Sequence, residues 1–240
     1  MTMKVLQNKM QITQAREELV RIKVSHLDPV DTQLKSILRS LGIVNRLVVG
    51  DLVKSWDVLE TVNFIENNIQ KNEPVLDIGC YASEILLSLY KFNYSNLTGI
   101  DLDPNLDKMP YQDFIQYETC NFMKTKFVDD SFKVITAISV IEHGLNSKAL
   151  LLEISRILQP GGYFIASFDY WPEKINTDGI KFFGMDWKIF SKNEVSNFLE
   201  EAETYGLFPV GEMELNSDEK AIDCAGKQYT FGWLVLRKLA

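Results

Sequence analysis

The stretch Pro74-Val75-Leu76-Asp77-Ile78-Gly79-Cys80, followed after a helix-length interval by Asn96-Leu97-Thr98-Gly99-Ile100-Asp101-Leu102-Asp103-Pro104, decides how this chain is read. Each half is a short apolar run that ends in an acid and a turn, which predicts a buried strand, a tight turn, a helix and a second buried strand. Gly79 breaks the first run where the backbone must approach something closely. In a doubly wound sheet the carboxyl ends of the strands open onto one crevice, and an acid after the second strand commonly holds ribose hydroxyls. Asp77 and Asp101 together therefore predict a site for a nucleoside-bearing ligand.

Upstream of Pro74, residues 1 to about 72 read as helical throughout. Asp28-Pro29 forms a cap with proline in the first turn, Leu34, Ile37, Leu38 and Leu41 share one face, and Gly42 is the stop. Asp57 with Glu60 predicts a second capped start, followed by the stripe Val58, Val62, Ile65 and Ile69. Downstream, strands at 74–78, 96–101, 114–119, 133–139 and 162–168 alternate with helices near 83–92, 104–109 and 147–158. Gln159-Pro160-Gly161-Gly162 makes a sharp turn into the fifth strand. Ser191 and Glu194 form a capping box, with Val195, Phe198, Leu199 and Ala202 facing inward and Gly206 ending the helix. Two last strands, 207–215 and 228–238, have no helix between them and predict an antiparallel hairpin. The sum is an α/β fold: a doubly wound, seven-stranded, mostly parallel sheet with one antiparallel strand near the C-terminus. An N-terminal helical lid over 1–73 precedes the main domain, 74–240.

Composition narrows the function. With 240 residues, 46% hydrophobic and 24% charged, the chain can bury one substantial core. A net charge of −8 argues against nucleic acid as a partner, because phosphate neutralisation needs a basic face. Cys80, Cys120 and Cys224 form neither a paired framework nor a C-x-x-C spacing, which favours a reducing compartment and inert thiols. No run approaches the roughly 18 apolar residues of a membrane span, and the first ten residues lack an apolar signal core. The expectation is a soluble, cytoplasmic protein with no membrane partner. With only His26 and His143 and no grouped ligands, metal independence is expected as well.

The order of elements, five strand–helix steps and then an antiparallel pair, is joined by several motifs: VLDIGC (75–80), GIDLDP (99–104), ETCNFMKTKFVDDSFKVI (118–135), SVIEH (139–143) and LLEISRILQPGGYFIASF (151–168). Taken in this order, residues 74–238 resemble the class I S-adenosylmethionine-dependent methyltransferases of the small-molecule branch. Residues 1–73 resemble the helical lid that many such enzymes carry. The resemblance implies a Rossmann-like sheet, S-adenosyl-L-methionine as cofactor with S-adenosyl-L-homocysteine as product, and a small-molecule acceptor. It implies that Asp77 meets the methionine ammonium, directly or through water, and that Gly79 and Cys80 lie against the ligand. Asp101 would hold both ribose hydroxyls and Leu102 would lie beside the adenine. Asn121 would hold the adenine amino group, Phe122 would wall its slot, and Ser139 would be a further cofactor contact. Turn or cap roles for the two acids and core packing for Phe122 are the plainer alternatives. Tyr81 and Ser83 stand where the family pattern D-x-G-C-G-x-G has its second and third glycines. That loss would harm pyrophosphate binding most, so it favours the methyl donor over a dinucleotide, and Ser83 can still cap the helix that follows.

For the acceptor, His143 follows the fourth strand beside Glu142 and is the candidate general base for a hydroxyl nucleophile. Its plainer role is to shape the loop. The stretch 168–191, FDYWPEKINTDGIKFFGMDWKIFS, is long and aromatic, as binding loops tend to be. Asp169, Tyr170, Trp171 and Trp187 are its candidate substrate contacts, with Phe182, Phe183, Lys174, Lys181 and Lys188 beside them. The leading expectation is O-methylation of a sugar, a nucleotide-linked compound or a natural-product intermediate. A protein methyltransferase, or a non-catalytic cofactor-binding partner that retains the fold, are the alternatives. No N-P-P-Y-like motif for a flipped base is present. The oligomeric state stays open.

Overall fold

The structure is a computed structural model and describes residues 3–27 and 47–239. Val75–Ile78 (β2) is buried along its whole length, as a continuous apolar run requires of a strand covered on both faces. It pairs in parallel with Leu97–Asp101 (β3) on one side and Phe132–Ile138 (β5) on the other. Ile115–Thr119 (β4) extends the sheet beyond β3, and Leu158–Tyr170 (β6) extends it beyond β5, both in parallel. Lys227–Lys238 (β11) then runs antiparallel to β6. The five parallel strands and the antiparallel one follow the sequence expectation.

Residues along each strand alternate between two apolar layers, the period of two that a pleated sheet imposes. Val75, Val134 and Ile165 meet Lys9–Arg21 (α1), Ser55–Asn68 (α2) and Ile85–Lys91 (α3) through Leu19, Val62 and Leu86. Leu76, Ile135 and Phe164 meet Ser147–Ile157 (α4) and Lys192–Thr204 (α5) through Ile154 and Leu199. Helix α5 opens on the expected capping box, with both halves formed between Ser191 and Glu194.

Four expectations change. Met3–Val5 (β1) pairs antiparallel with β11, so the N-terminal segment is part of the sheet and not helical throughout. The sheet accordingly counts nine strands: the expected seven, of which the one at 207–215 is confined to Leu207–Pro209 (β9), with β1 and Ile222–Cys224 (β10) added, and both β9 and β10 pair with β11. Helix α2 begins at Ser55 with Lys54 at its cap position, and Asp57 makes no cap because its Oδ2 accepts from Ser167 Oγ at 2.8 Å in the sheet. The segment Gln159-Pro160-Gly161-Gly162 lies within β6 as a bulge: the register steps from Phe132↔Leu158 to Val134↔Tyr163, with Gly161 at φ 70° absorbing the extra residues. The helix expected after Asp28-Pro29, with Leu34, Ile37, Leu38, Leu41 and Gly42, lies outside the described residues.

Candidate active site

Where β2, β3 and β5 end, a cavity of about 1110 Å³ opens, the place a doubly wound sheet reserves for its ligand. Its walls include the loop from Gly79 to Glu84, the β3 tip from Asp101 to Asp103, Phe122, the β5 tip at Ser139, Val140 and His143, the N-terminal segment from Gly50 to Lys54, and Phe183 with Met185.

At the β3 tip, Asp101 Oδ2 accepts from the Tyr81 N–H at 2.9 Å and Oδ1 from the Asp103 N–H at 2.9 Å. Two main-chain donors thus aim the carboxylate, and its remaining lone pairs border the cavity. The donor comes from the residue that replaces the second family glycine, so the backbone role survives the substitution. Ala82 takes φ 62° without being glycine, a left-handed conformation that costs about 1–2 kcal/mol. The Gly50 N–H, donating to Ala82 O at 2.7 Å, holds it there. Gly79, at φ 72°, has no room for a side chain: a Cβ would stand 2.4 Å from Val140 Cγ2. Loop and β5 tip can close on one another only with glycine here.

Asp77 is placed differently from its expected role. It is 1% exposed and does not border the cavity; Thr136 Oγ1 donates to its Oδ1 at 2.6 Å and Ser83 Oγ to its Oδ2 at 2.8 Å. Burial raises its carboxyl to about 7, against the pull of those two hydroxyls. Ser83, the replacement for the third glycine, is what meets the cavity, with Asp77 fixing its hydroxyl from behind. Ser83 Oγ also accepts from the Ile85 N–H at 3.3 Å, but the cap position of the helix falls on Glu84, whose side chain makes no cap bond, so Ser83 is not the cap expected of it. Leu102 and Phe122 border the cavity near Asp101. Cys80 does not: its Sγ lies under β3, 2.7 Å from where a Cβ on Gly99 would be, and burial raises its thiol out of the reactive range. Asn121 is exposed and off the cavity wall, its Oδ1 occupied by the Met123 N–H at 3.0 Å in a turn.

An ion pair locks this loop to the N-terminal helix. Arg16 on α1 donates from Nη1 and Nη2 to the two oxygens of Glu84 at 2.8 Å each, and the His26 N–H adds a third bond at 2.7 Å. Arg16 is 5% and Glu84 1% exposed. This latch joins residues 68 positions apart, and the sequence reading did not find it.

The opposite end is built from His143, Ser139 and Lys54. Ser139 sits at φ 54° with its Oγ buried and unpartnered, and His143 Nδ1 is in the same state among the described residues. Burial first, and the Lys54 charge second, lower the imidazole to about 4, so it is neutral near pH 7. Phe182 and Phe183 pack edge-on against it. Lys54 Nζ lies 3.8 Å from the Phe231 ring centroid and 4.0 Å from Asp169 Oδ1. Burial works to discharge it, but Asp169, Asp57, Glu142 and Asp51 together hold its pKa above the ordinary lysine value.

The substrate contacts expected from 168–191 are mostly elsewhere. β6 runs on to Tyr170, which pairs with Thr230 of β11, so this part is strand and not loop. Tyr170 is fully buried with its hydroxyl donating to Leu215 O at 2.7 Å. Trp187 is 3% exposed and donates from Nε1 to Asp169 Oδ2 at 2.6 Å, which takes both off the surface. Trp171 is half-buried and faces Lys220, whose Nζ is 4.9 Å from its ring. The piece that does reach the cavity is a small hairpin, Lys181–Phe182 (β7) and Met185–Asp186 (β8), turned by Phe183 and Gly184, both at positive φ. Phe183 at its tip is 86% exposed. Lys54 and Met185 carried no sequence signal of their own. The turn before Lys54 did, since Asp51 Oδ1 accepts from the Val53 N–H at 2.9 Å.

Among the described residues no group of three or more His, Cys, Asp or Glu is arranged to hold a metal ion, and no helix is long and apolar enough to cross a membrane.

Residues 76–166 match the family model described as a methyltransferase domain. A sterol 24-C-methyltransferase of Gibberella zeae is 29% identical over 104 residues, which cover 40% of this chain and 27% of that protein. A sterol 4-C-methyltransferase of Caenorhabditis elegans is 30% identical over 105 residues, 40% of this chain and 31% of that protein. The match thus spans under a third of the length of these curated relatives. Among solved structures, a geranyl diphosphate C-methyltransferase from Streptomyces coelicolor superimposes with a TM-score of 0.57 at 13% identity, covering 75% of this chain and 78% of that one. The [4+2]-cyclase SpnF superimposes with a TM-score of 0.60 at 13% identity, covering 86% and 93%. At such identities the likeness is one of fold. Residues 76–166 carry a methyltransferase domain, and the sheet has the Rossmann-like order of the class I S-adenosylmethionine-dependent methyltransferases, the family this chain resembles.

Proposed function

We propose that this chain is an S-adenosylmethionine-dependent methyltransferase acting on a small molecule, with a hydroxyl as the nucleophile. The observation that carries the reading is the single cavity running from Asp101 past the Gly79–Ser83 loop to Ser139 and His143. Its volume of about 1110 Å³ exceeds the usual range for one small ligand, roughly 300–1,000 Å³, and leaves room for an acceptor beside a cofactor. The residues fit the cofactor. Asp101, aimed by two main-chain donors, can accept from ribose hydroxyls. Leu102 and Phe122 offer apolar faces to the adenine, and Ser83, braced by Asp77, offers a hydroxyl to the amino-acid end. When bound, S-adenosylmethionine supplies an electrophilic methyl group on sulfur.

The chain's contribution at the other end is to orient the acceptor and exclude water, which suffices for much of the rate of an in-line displacement. His143 is neutral and can accept a hydrogen bond or a proton from the nucleophile. With its pKa near 4 it is a weak base, better suited to orienting the hydroxyl than to removing its proton outright. The sterol methyltransferases among the sequence relatives support an acceptor with an apolar body; they and the geranyl diphosphate methyltransferase among the structures are named for transfer to carbon, so the hydroxyl nucleophile rests on the Ser139 and His143 end of the cavity alone. SpnF supports a second reading, since this fold can also serve a reaction described as a cyclisation.

Incubation of the purified chain with methyl-labelled S-adenosylmethionine and fractionated small-molecule extracts separates these readings. Label in a small-molecule fraction, absent with Asp101→Ala, is expected. Label confined to macromolecules would transfer the reading to a protein target. Tight S-adenosylhomocysteine binding with no labelled product would favour the non-methylating alternative.

A further inference from the structure

Lys54, Ser139 and His143 meet at one corner of the cavity. Behind them lie Asp57, Glu142 and Asp169, at 0, 1 and 4% exposure. Four acids thus act on the Lys54 ammonium, these three and Asp51 on the cavity wall, and the hydrogen bonding of the buried three is incomplete. Asp57 Oδ1, Glu142 Oε2 and Asp169 Oδ1 have no partner among the described residues, like Ser139 Oγ and His143 Nδ1. Asp169 Oδ1 stands 4.0 Å from Lys54 Nζ, beyond hydrogen-bond reach. So much unsatisfied polarity in one buried place is rare and calls for an explanation.

We propose that this corner binds the head group of the acceptor, and that the head is a neutral hydroxyl which accepts from Lys54 Nζ and donates to Ser139 or His143. The proposal rests on the methyltransferase reading and narrows its acceptor class. The two charged alternatives are disfavoured by opposite halves of the same cluster. A carboxylate or phosphate head would satisfy Lys54 but would stand in front of three buried acids. An ammonium head would be drawn to the acids but would meet Lys54, which those same acids keep charged. A hydroxyl is both donor and acceptor and carries no charge, so it suits the ammonium and the acceptors beside it together. Burial raises all three carboxyl groups, Asp57 to about 6, which brings the cluster nearer to neutrality and weakens its draw on either sign. The remaining walls, Val53, Val58, Ile138, Phe183 and Met185, suit an apolar body behind such a head.

The test compares cyclohexanol, cyclohexylammonium and cyclohexanecarboxylate, one apolar ring with three heads, titrated at neutral pH into the full chain saturated with S-adenosylhomocysteine. Cyclohexanol is expected to bind at least about tenfold more tightly than either ion. Lys54→Met, which removes the charge opposing a cation and leaves the acids, is expected to raise cyclohexylammonium to at least the affinity of the alcohol and to weaken the carboxylate further, while Lys54→Arg, which keeps the charge, preserves the order. Melting temperature and S-adenosylhomocysteine affinity of both variants show that the fold and the adenosyl end are intact. An ion that binds as tightly as the alcohol, or failure of all three to bind, overturns the proposal. Should S-adenosylhomocysteine not bind, the methyltransferase reading falls by itself, and the head preference of the ligand-free chain still decides this one.

Discussion

The two ends of the cavity are built on opposite principles. Around the Gly79–Glu84 loop and the β3 tip the polar groups are mostly saturated, His26 Nε2 being the exception among the described residues: Asp101 accepts from two main-chain N–H groups, Asp77 from two hydroxyls, and Glu84 from Arg16 and the His26 N–H. At the β5 tip they are starved, with Glu142, Asp57, Asp169, Ser139 and His143 each leaving a buried atom unpaired. The saturated end is preorganised for one ligand, because its donors and acceptors are fixed before anything binds. The starved end is energetically unfinished and gains most from a ligand that completes it.

This contrast makes variants at the two ends behave with opposite sign. The largest effect is expected from Arg16→Met, which leaves Glu84 charged, buried and without its partner. A loss of about 3–5 kcal/mol in urea unfolding is expected. A loss below about 1 kcal/mol would mean that the latch is slack and the saturated end less finished than its geometry indicates.

Asp101→Ala comes next. Two charge-assisted hydrogen bonds to ribose, at about 1.5 kcal/mol each, predict S-adenosylhomocysteine binding weakened on the order of 100-fold by calorimetry. A change of less than about fivefold would move the ribose away from the β3 tip.

The smallest effect carries the sharpest sign. Glu142 is held well above 4.5, first by burial and then by the Asp169 charge. The folded chain therefore keeps a proton that the unfolded chain releases. The stability tied to that proton is present below about 4.5 and is lost as pH rises through the folded value. Glu142→Gln cannot lose it. The ligand-free variant should match the wild type in acid and be more stable by about 1 kcal/mol on the alkaline side, read from urea unfolding at both pH values. Equal stability throughout, or destabilisation on the alkaline side, would mean that Glu142 is satisfied, and the contrast between the two ends would dissolve.

What could be read in the sequence follows the same division. Near Asp101 the geometry is local: an acid at a strand end, bonded to the N–H two residues on, is a matter of short-range backbone chemistry. The capping box at Ser191 is local in the same sense. At the acceptor end Asp57 meets Ser167, 110 positions away, and no spacing announces it. The aromatic stretch after β6 misled for a related reason. Tyr170 and Trp187 have the composition of a binding surface, yet β6 continues past the expected end at 168 and buries Tyr170, and Trp187 is buried with its Nε1 bonded to Asp169 on that added piece of strand.

The amino-acid sequence by itself determined the alternation of strands and helices, the acid-tipped pair β2 and β3, and the place of the crevice, because apolar period, turn chemistry and capping act over a few residues. Only the tertiary structure decided that Ser83 and not Asp77 faces the cavity, that Arg16 locks the loop, and that three buried carboxyl groups gather around Lys54. Those outcomes depend on which side of a strand tip a chain segment arrives from after a long connection, and that is set by the packing of whole layers.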